Sequence, residues 1–117
     1  MKENPVLEKS FAFALRIIKL NRYLIEEKKE FVLSKELLVS GTHIGKHIKE
    51  AVGSESKTVF TNEMGKARRV ASETEYWLQL LLQADYISEK AFDSIETDRL
   101  EIFKMLTSIV KTSKENE

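Results

Sequence analysis

A chain of 117 residues with 42% hydrophobic side chains is the size of one domain and can build one real core. Nineteen Lys and Arg balance nineteen Asp and Glu, which removes any overall electrostatic pull toward nucleic acid, and the lack of cysteine excludes disulfides and thiolate metal sites. No apolar run approaches the length of a membrane span and none follows the N-terminal charges, so a cytoplasmic protein without membrane attachment is expected.

Four glycines and one proline leave little room for turns, and 32% charged residues interleave with long apolar periodicities. The class this predicts is all-α, a single domain over 1–117 with helices at about 5–28, 34–52, 56–84 and 88–112. Short connections make it an antiparallel up-down-up-down four-helix bundle.

The first helix opens with Asn4 as cap and Pro5 in the first turn. It carries two apolar stripes, Leu7, Phe11, Ala14, Ile18 and Ile25 on one line and Val6, Phe13, Ile17, Leu20 and Leu24 on another about 100° around the cylinder. That arc is wider than one bundle core requires. The polar run Glu26 to Glu30 ends it, and Phe31 to Leu33 form an apolar connector.

In the second helix Leu37, Gly41, Ile44, Ile48 and Val52 mark one face. Ser34 is the expected cap, Glu36 suits the positive end of the helix dipole, and Gly53 is expected to close the helix in a left-handed conformation. Gly41 and Gly45 each cost about 1 kcal/mol against alanine in a helix interior, so something must offset them. Either the helix is continuous and the glycines let another backbone approach, or it breaks at Ser40-Gly41-Thr42. The break would give a helix-turn-helix, a small DNA-binding regulator reading a groove with residues 42–52.

Gly53 to Ser56 read as a loop with Ser56 capping the third helix. Phe60, Met64, Ala67, Ala71, Thr74, Leu78 and Leu81 alternate four and three, a bundle seam, and Asp85 closes the helix. Ser88 caps the fourth, where Phe92, Ile95, Arg99, Ile102, Leu106 and Ile109 share a face, and Lys111 to Glu117 are expected to fray.

Chemistry-bearing residues are few. His43, His47 and Glu50 fall at i, i+4 and i+7, on one helix side, the spacing of a candidate metal site. A di-metal bundle would need further Glu-x-x-His ligands, and none occurs. No nucleophile motif or phosphate-binding glycine loop is present, so no catalytic residue and no cofactor is expected. Lys66, Arg68 and Arg69, extended by Lys46 and Lys49, form a candidate nucleic-acid surface. The same charges also suit local pairing with Glu63 and Glu73. Trp77, beside Tyr76 and among leucines, suits a core or subunit interface better than a base-stacking platform.

Ser34-Lys35-Glu36-Leu37-Leu38, Ser40-Gly41-Thr42, Ile44-Gly45 and Ile48-Lys49-Glu50-Ala51, followed by Ser56-Lys57 and Glu73-Thr74-Glu75-Tyr76-Trp77-Leu78, resemble the four-helix-bundle family of 23S rRNA intervening-sequence proteins. The related accessory variability determinant of diversity-generating retroelements is similar. The resemblance runs from about Phe11 to Val110. It implies a continuous second helix, no enzymatic activity, and a ring, a homopentamer in relatives, acting as adaptor to RNA or to a nucleic-acid enzyme such as a reverse transcriptase. This chain has His43 and His47 where the family commonly has serine and asparagine, and Leu38 and Val39 where many members carry arginine. With Phe13, Ile17, Leu20, Leu24 and Trp77 taken as the surplus apolar surface, these five are the expected subunit interface.

Overall fold

The computed structural model describes residues 4–116, whose regular structure is four helices: α1 (Pro5–Glu26), α2 (Leu33–Val52), α3 (Lys57–Gln83) and α4 (Glu89–Glu115). They form a rod of 46 × 22 × 22 Å. Sequential helices pack side by side and α1 also meets α4, while α1 with α3 and α2 with α4 stand on the two diagonals, without close backbone approach and joined through the shared core. This is the up-down-up-down four-helix bundle that the short connections require.

Each start has an identifiable chemical cause. Asn4 accepts from the Leu7 N–H at 3.1 Å, Ser56 from Val59 at 3.2 Å and Ser88 from Ala91 at 3.1 Å, as expected for N-caps. The α2 start differs from expectation. Ser34 lies inside the helix, and the cap is the buried Glu30 carboxylate, which accepts from the backbone N–H groups of Val32, Leu33 and Ser34 at 3.3, 3.1 and 2.7 Å. A charged acceptor reaching three orphan donors does the work of a serine cap more strongly. The chain reaches this position through Lys29, whose φ is 53°.

The ends also correct two expectations. Gly53 closes α2 with φ −80°, in the right-handed region, so no left-handed residue is needed there. The left-handed closure belongs to α3, where Asp85 has φ 65°, its N–H donates to Leu82 O and the Tyr86 N–H donates to Leu81 O. That is a Schellman pattern with aspartate in the place glycine usually takes. The expected fraying from Lys111 does not occur up to Glu115, because Ser113 is buried in a hydroxyl pair with Thr61 and Lys57 donates to the Asn116 carbonyl at 2.8 Å. Glu117, the last residue of that stretch, lies outside the described residues.

The second helix is continuous through Ser40-Gly41-Thr42, with Thr42 donating back to the Leu38 carbonyl at 2.7 Å, so the break required by a helix-turn-helix is absent. The glycines face α1. A Cβ at Gly41 would stand 2.7 Å from Ile17 Cγ1 and 2.9 Å from its Cγ2, and one at Gly45 would stand 3.3 Å from Ser10 Oγ. Close approach of α1 to α2 is what offsets the helix cost of these residues.

The core is Val6, Phe13, Ile17 and Leu24 of α1, Leu37, Ile44 and Ile48 of α2, Met64, Leu78 and Leu81 of α3, and Ile95, Ile102 and Leu106 of α4, with alanines where helices come closest. Thr61 takes the first place in the α3 seam that Phe60 was expected to fill; Phe60 is only partly buried. The interface expectation for Phe13, Ile17 and Leu24 is therefore corrected: all three are sealed inside their own subunit, with Ile17 at 0% exposure. Leu20 is half-buried against the same core.

Gly41→Ala is expected to lower unfolding free energy by about 1–3 kcal/mol, overpacking outweighing the roughly 1 kcal/mol gain in helix propensity. Adding Ile17→Val should recover part of the loss, read by urea denaturation. Burial works against ionising Glu30, but the N–H bonds from Ser34, Leu33 and Val32 prevail and hold its carboxyl below the usual value of 4.5. Its contribution is present above that value and lost as pH falls through the lower folded one. Glu30→Gln should flatten the acid limb of the stability profile, measured by urea midpoints between about pH 5 and pH 2.

Candidate functional site: the outer face of the first two helices

Packing Phe13 and Ile17 inward forces the other α1 stripe outward. Phe11 is 66% exposed, Leu15 49% and Ile18 37%, although all three are bulky and apolar. Together with Leu7, Ala14, Thr42 and Gly45 they line a groove of about 840 Å³ between α1 and α2, rimmed by Glu8, Lys46 and Lys49. The floor is apolar because α1 supplies it and because Gly45, lacking a side chain, leaves it open. Leu15 is absent from the stripes read in the sequence. Its signal was available: Phe11, Leu15, Ile18 and Ile25 share a line interrupted by Arg22, whereas Val6, Ser10, Phe13, Ile17, Leu20 and Leu24 carry no charge.

The candidate metal trio of His43, His47 and Glu50 does not converge. His47 Nδ1 turns to Glu63 Oε2 of α3 at 2.9 Å, and Glu50 is exposed. The His43 and His47 rings stand edge to face with centroids 6.2 Å apart. Among the described residues no group of three or more His, Asp or Glu side chains is arranged to hold a metal ion. The bond from His47 holds the Glu63 carboxyl below its usual range; burial opposes this and Lys66 assists. Burial lowers the His43 pKa below 6.5, the charge of Lys46 and His47 adds to the effect, and Glu73 opposes it.

The five basic residues do not make one patch. Lys46 and Lys49 rim the α1–α2 groove, while Lys66 pairs with Glu63 at 3.3 Å beside His47 on the α2–α3 side. Arg68 donates to Thr107 Oγ1 at 2.8 Å and lies 4.6 Å over the Phe103 ring, on the α3–α4 side. Arg69 is exposed on α3. Trp77 is partly buried, edge-on to Tyr76 at 5.1 Å, and its indole N–H is covered without a partner.

Arg99, read as part of the apolar face of α4, is only 2% exposed. It forks onto Glu96 at 2.6 and 2.7 Å, reaches Glu75 of α3 at 3.2 Å and donates to the Ala71 carbonyl at 3.2 Å. It is a structural tie between α3 and α4. Spacing alone did not reveal that role, although Glu96 three residues before it is the pairing a helix favours.

Residues 2–108 match the family model described as 23S rRNA-intervening sequence protein. A solved structure is similar over nearly the full length: a protein of unknown function from the S23 ribosomal protein family of Bacteroides thetaiotaomicron VPI-5482. It is 48% identical, with 95% of this chain and 99% of that chain covered and a TM-score of 0.91. Comparison with curated proteins gives no match. Among the described residues no helix is long and apolar enough to cross a membrane.

The lowered His43 pKa means that protonation disfavours the fold: stability is full above pH 6.5 and declines as pH falls through the lower folded value. By NMR titration the His43 ring is expected to titrate below 6.5. Glu73→Gln should move it further down and Lys46→Gln should move it up.

Proposed function

The chain belongs to the 23S rRNA-intervening sequence protein family, and from that premise we propose that it acts without catalysis, as a self-assembling helical adaptor. The observation that carries this reading is the outward α1 seam of Phe11, Leu15 and Ile18, a contiguous line of large apolar side chains of the kind that marks interaction surfaces. Copies of the same chain cover it. A closed ring follows from the resemblance to relatives that are homopentamers, with the accessory variability determinant of diversity-generating retroelements as the functional analogue.

Its place is the cytoplasm. The ring presents nucleic-acid contacts at Lys46 and Lys49, whose side chains rim the groove, and brings RNA or a nucleic-acid enzyme such as a reverse transcriptase to a common scaffold. Lys66 and Arg68, already engaged with Glu63 and Thr107, contribute less. No observation favours the DNA-reading alternative, which needed a turn inside α2.

Light scattering coupled to size exclusion is expected to give a mass that is a multiple of 13.5 kDa at micromolar concentration. A monomer mass would overturn the adaptor ring. For the RNA contact, anisotropy with a labelled 23S rRNA fragment should show affinity that falls with salt. Lys46→Gln with Lys49→Gln should weaken it and reduce the salt slope by about one unit per residue. Binding unchanged by the pair would remove RNA from the reading.

A further inference from the structure

Two outward seams remain unused by the subunit. On α1, Glu8, Phe11, Leu15, Ile18, Arg22 and Ile25 recur at intervals of three and four and are exposed. On α3, Asn62, Gly65, Arg69, Ser72, Tyr76 and Gln79 recur in the same rhythm, also exposed apart from half-buried Gly65. The first is bulky and largely apolar. The second is uncharged apart from Arg69, and small at Gly65 and Ser72.

We propose that the α1 seam and groove of one copy receive the α3 seam of the next copy, head to tail. This rests on the self-assembly reading above and names the two surfaces that meet. Four observations support the pairing.

The seams point away from each other, because α1 and α3 occupy one diagonal of the bundle without close backbone approach and both seams lie on exposed positions, half-buried Gly65 apart. Each copy can therefore offer both at once, the condition for a heterologous interface that closes into a ring or runs on as a filament.

The heights agree. Ser10 packs beside Gly45, two residues from His47, which bonds Glu63; Ile17 packs on Gly41, next to Ser40, which accepts from Thr74 at 3.1 Å. Phe11 thus lies within about a turn of the height of Gly65, and Leu15 within about a turn of Ser72. Since α1 and α3 run the same way, neighbours related by an axis along the rod keep this register.

The shapes fit. Gly65 sits in the middle of a helix that disfavours it, yet a Cβ there would meet nothing within 4 Å in its own subunit. Gly41 and Gly45 are explained by α1 of the same copy. Gly65 is explained by a large side chain of another copy, and Phe11 is at its level.

The charges fit as well. Glu8 heads the α1 seam and Arg69 is the charged residue of the α3 seam, within about two turns of Glu8 in height, a span that two long side chains can bridge. Neither forms an ion pair within the subunit among the described residues. An α1-on-α1 dimer would leave Arg69 without this partner and Gly65 without a reason.

The chain has no cysteine, so crosslinking reads the interface directly. Leu15→Cys with Ser72→Cys in one chain, oxidised at micromolar concentration, should give a ladder of covalent multimers on non-reducing gels. Each single variant should stay uncrosslinked, and a mixture of the two should stop at dimers. Linkage by Leu15→Cys alone would overturn the proposal in favour of a two-fold α1 contact. An assembled protein by light scattering without 15-to-72 linkage would overturn it while leaving self-assembly standing; a monomeric wild type would end both. As a second arm, Glu8→Arg and Arg69→Glu should each weaken association at least tenfold and together restore it, measured by dilution in analytical ultracentrifugation. Singles that associate like wild type, or a pair without recovery, would overturn the pairing. Free labelling of Leu15→Cys by a thiol reagent in the assembled particle, as in a seam left open for a different protein, is a further contrary result.

Discussion

The close approach of α1 to α2 at Gly41 decides the character of the whole molecule. Ile17 occupies the space a side chain at residue 41 would need, and Ser10 packs closely over Gly45, its Oγ 3.3 Å from where a Cβ would stand. These two contacts fix the rotation of α1 about its own axis. Once that rotation is set, Phe13 and Leu24 follow Ile17 into the core, and Phe11, Leu15 and Ile18 have nowhere to go but outward. A helix carrying two apolar stripes about 100° apart cannot bury both in one bundle. Local glycine chemistry thereby becomes a statement about the protein's surface.

Polar groups inside the bundle set the relative positions of the other helices. The Ser40–Thr74 bond ties α2 to α3, the Thr61–Ser113 pair ties α3 to α4, and Arg99 binds Glu75 and the Ala71 carbonyl across the same joint. Buried polar groups are costly unless partnered, so these pairs disfavour sliding of one helix past another. The α1–α4 joint is different. Its ion pairs, Lys9 with Glu101 at 3.1 Å and Arg16 with Asp98 at 2.6 Å, are half exposed and contribute little to stability. The buried polar ties thus centre on α3, which bonds both α2 and α4, whereas α1 meets α4 through exposed ion pairs and α2 through the glycine contacts.

Much of this was legible beforehand. Asn4, Ser56 and Ser88 announced three helix starts by the ordinary hydroxyl or amide cap, and the four-three alternation from Met64 to Leu81 announced the α3 seam. Glu30 was not legible as a cap, because its carboxylate acts from outside the helix after a left-handed Lys29 folds the chain back. Asp85 was correctly read as a stop, although the left-handed closure was looked for at Gly53, where the backbone needs none. The assignment of the α1 stripes was reversed. Both have similar apolarity, and the discriminating facts were Arg22 in one line and small Ser10 in the other, the latter meaningful only once Gly45 is known to face it. The metal spacing of His43, His47 and Glu50 was equally real as periodicity, yet a ring that bonds Glu63 has been committed elsewhere.

Thiol labelling at two neighbouring positions of α1 distinguishes a side chain shielded by its own subunit from one shielded by another copy. Single variants Ile17→Cys and Leu15→Cys are labelled with a chromogenic disulfide across a wide range of protein concentration. Residue 17 is expected to be protected at every concentration, because its shield is Gly41 of the same chain. Residue 15 should react quickly in dilute protein and slowly in concentrated protein, because its shield is another copy. Rapid labelling of residue 17 in dilute protein, or labelling of residue 15 that ignores concentration, would contradict it.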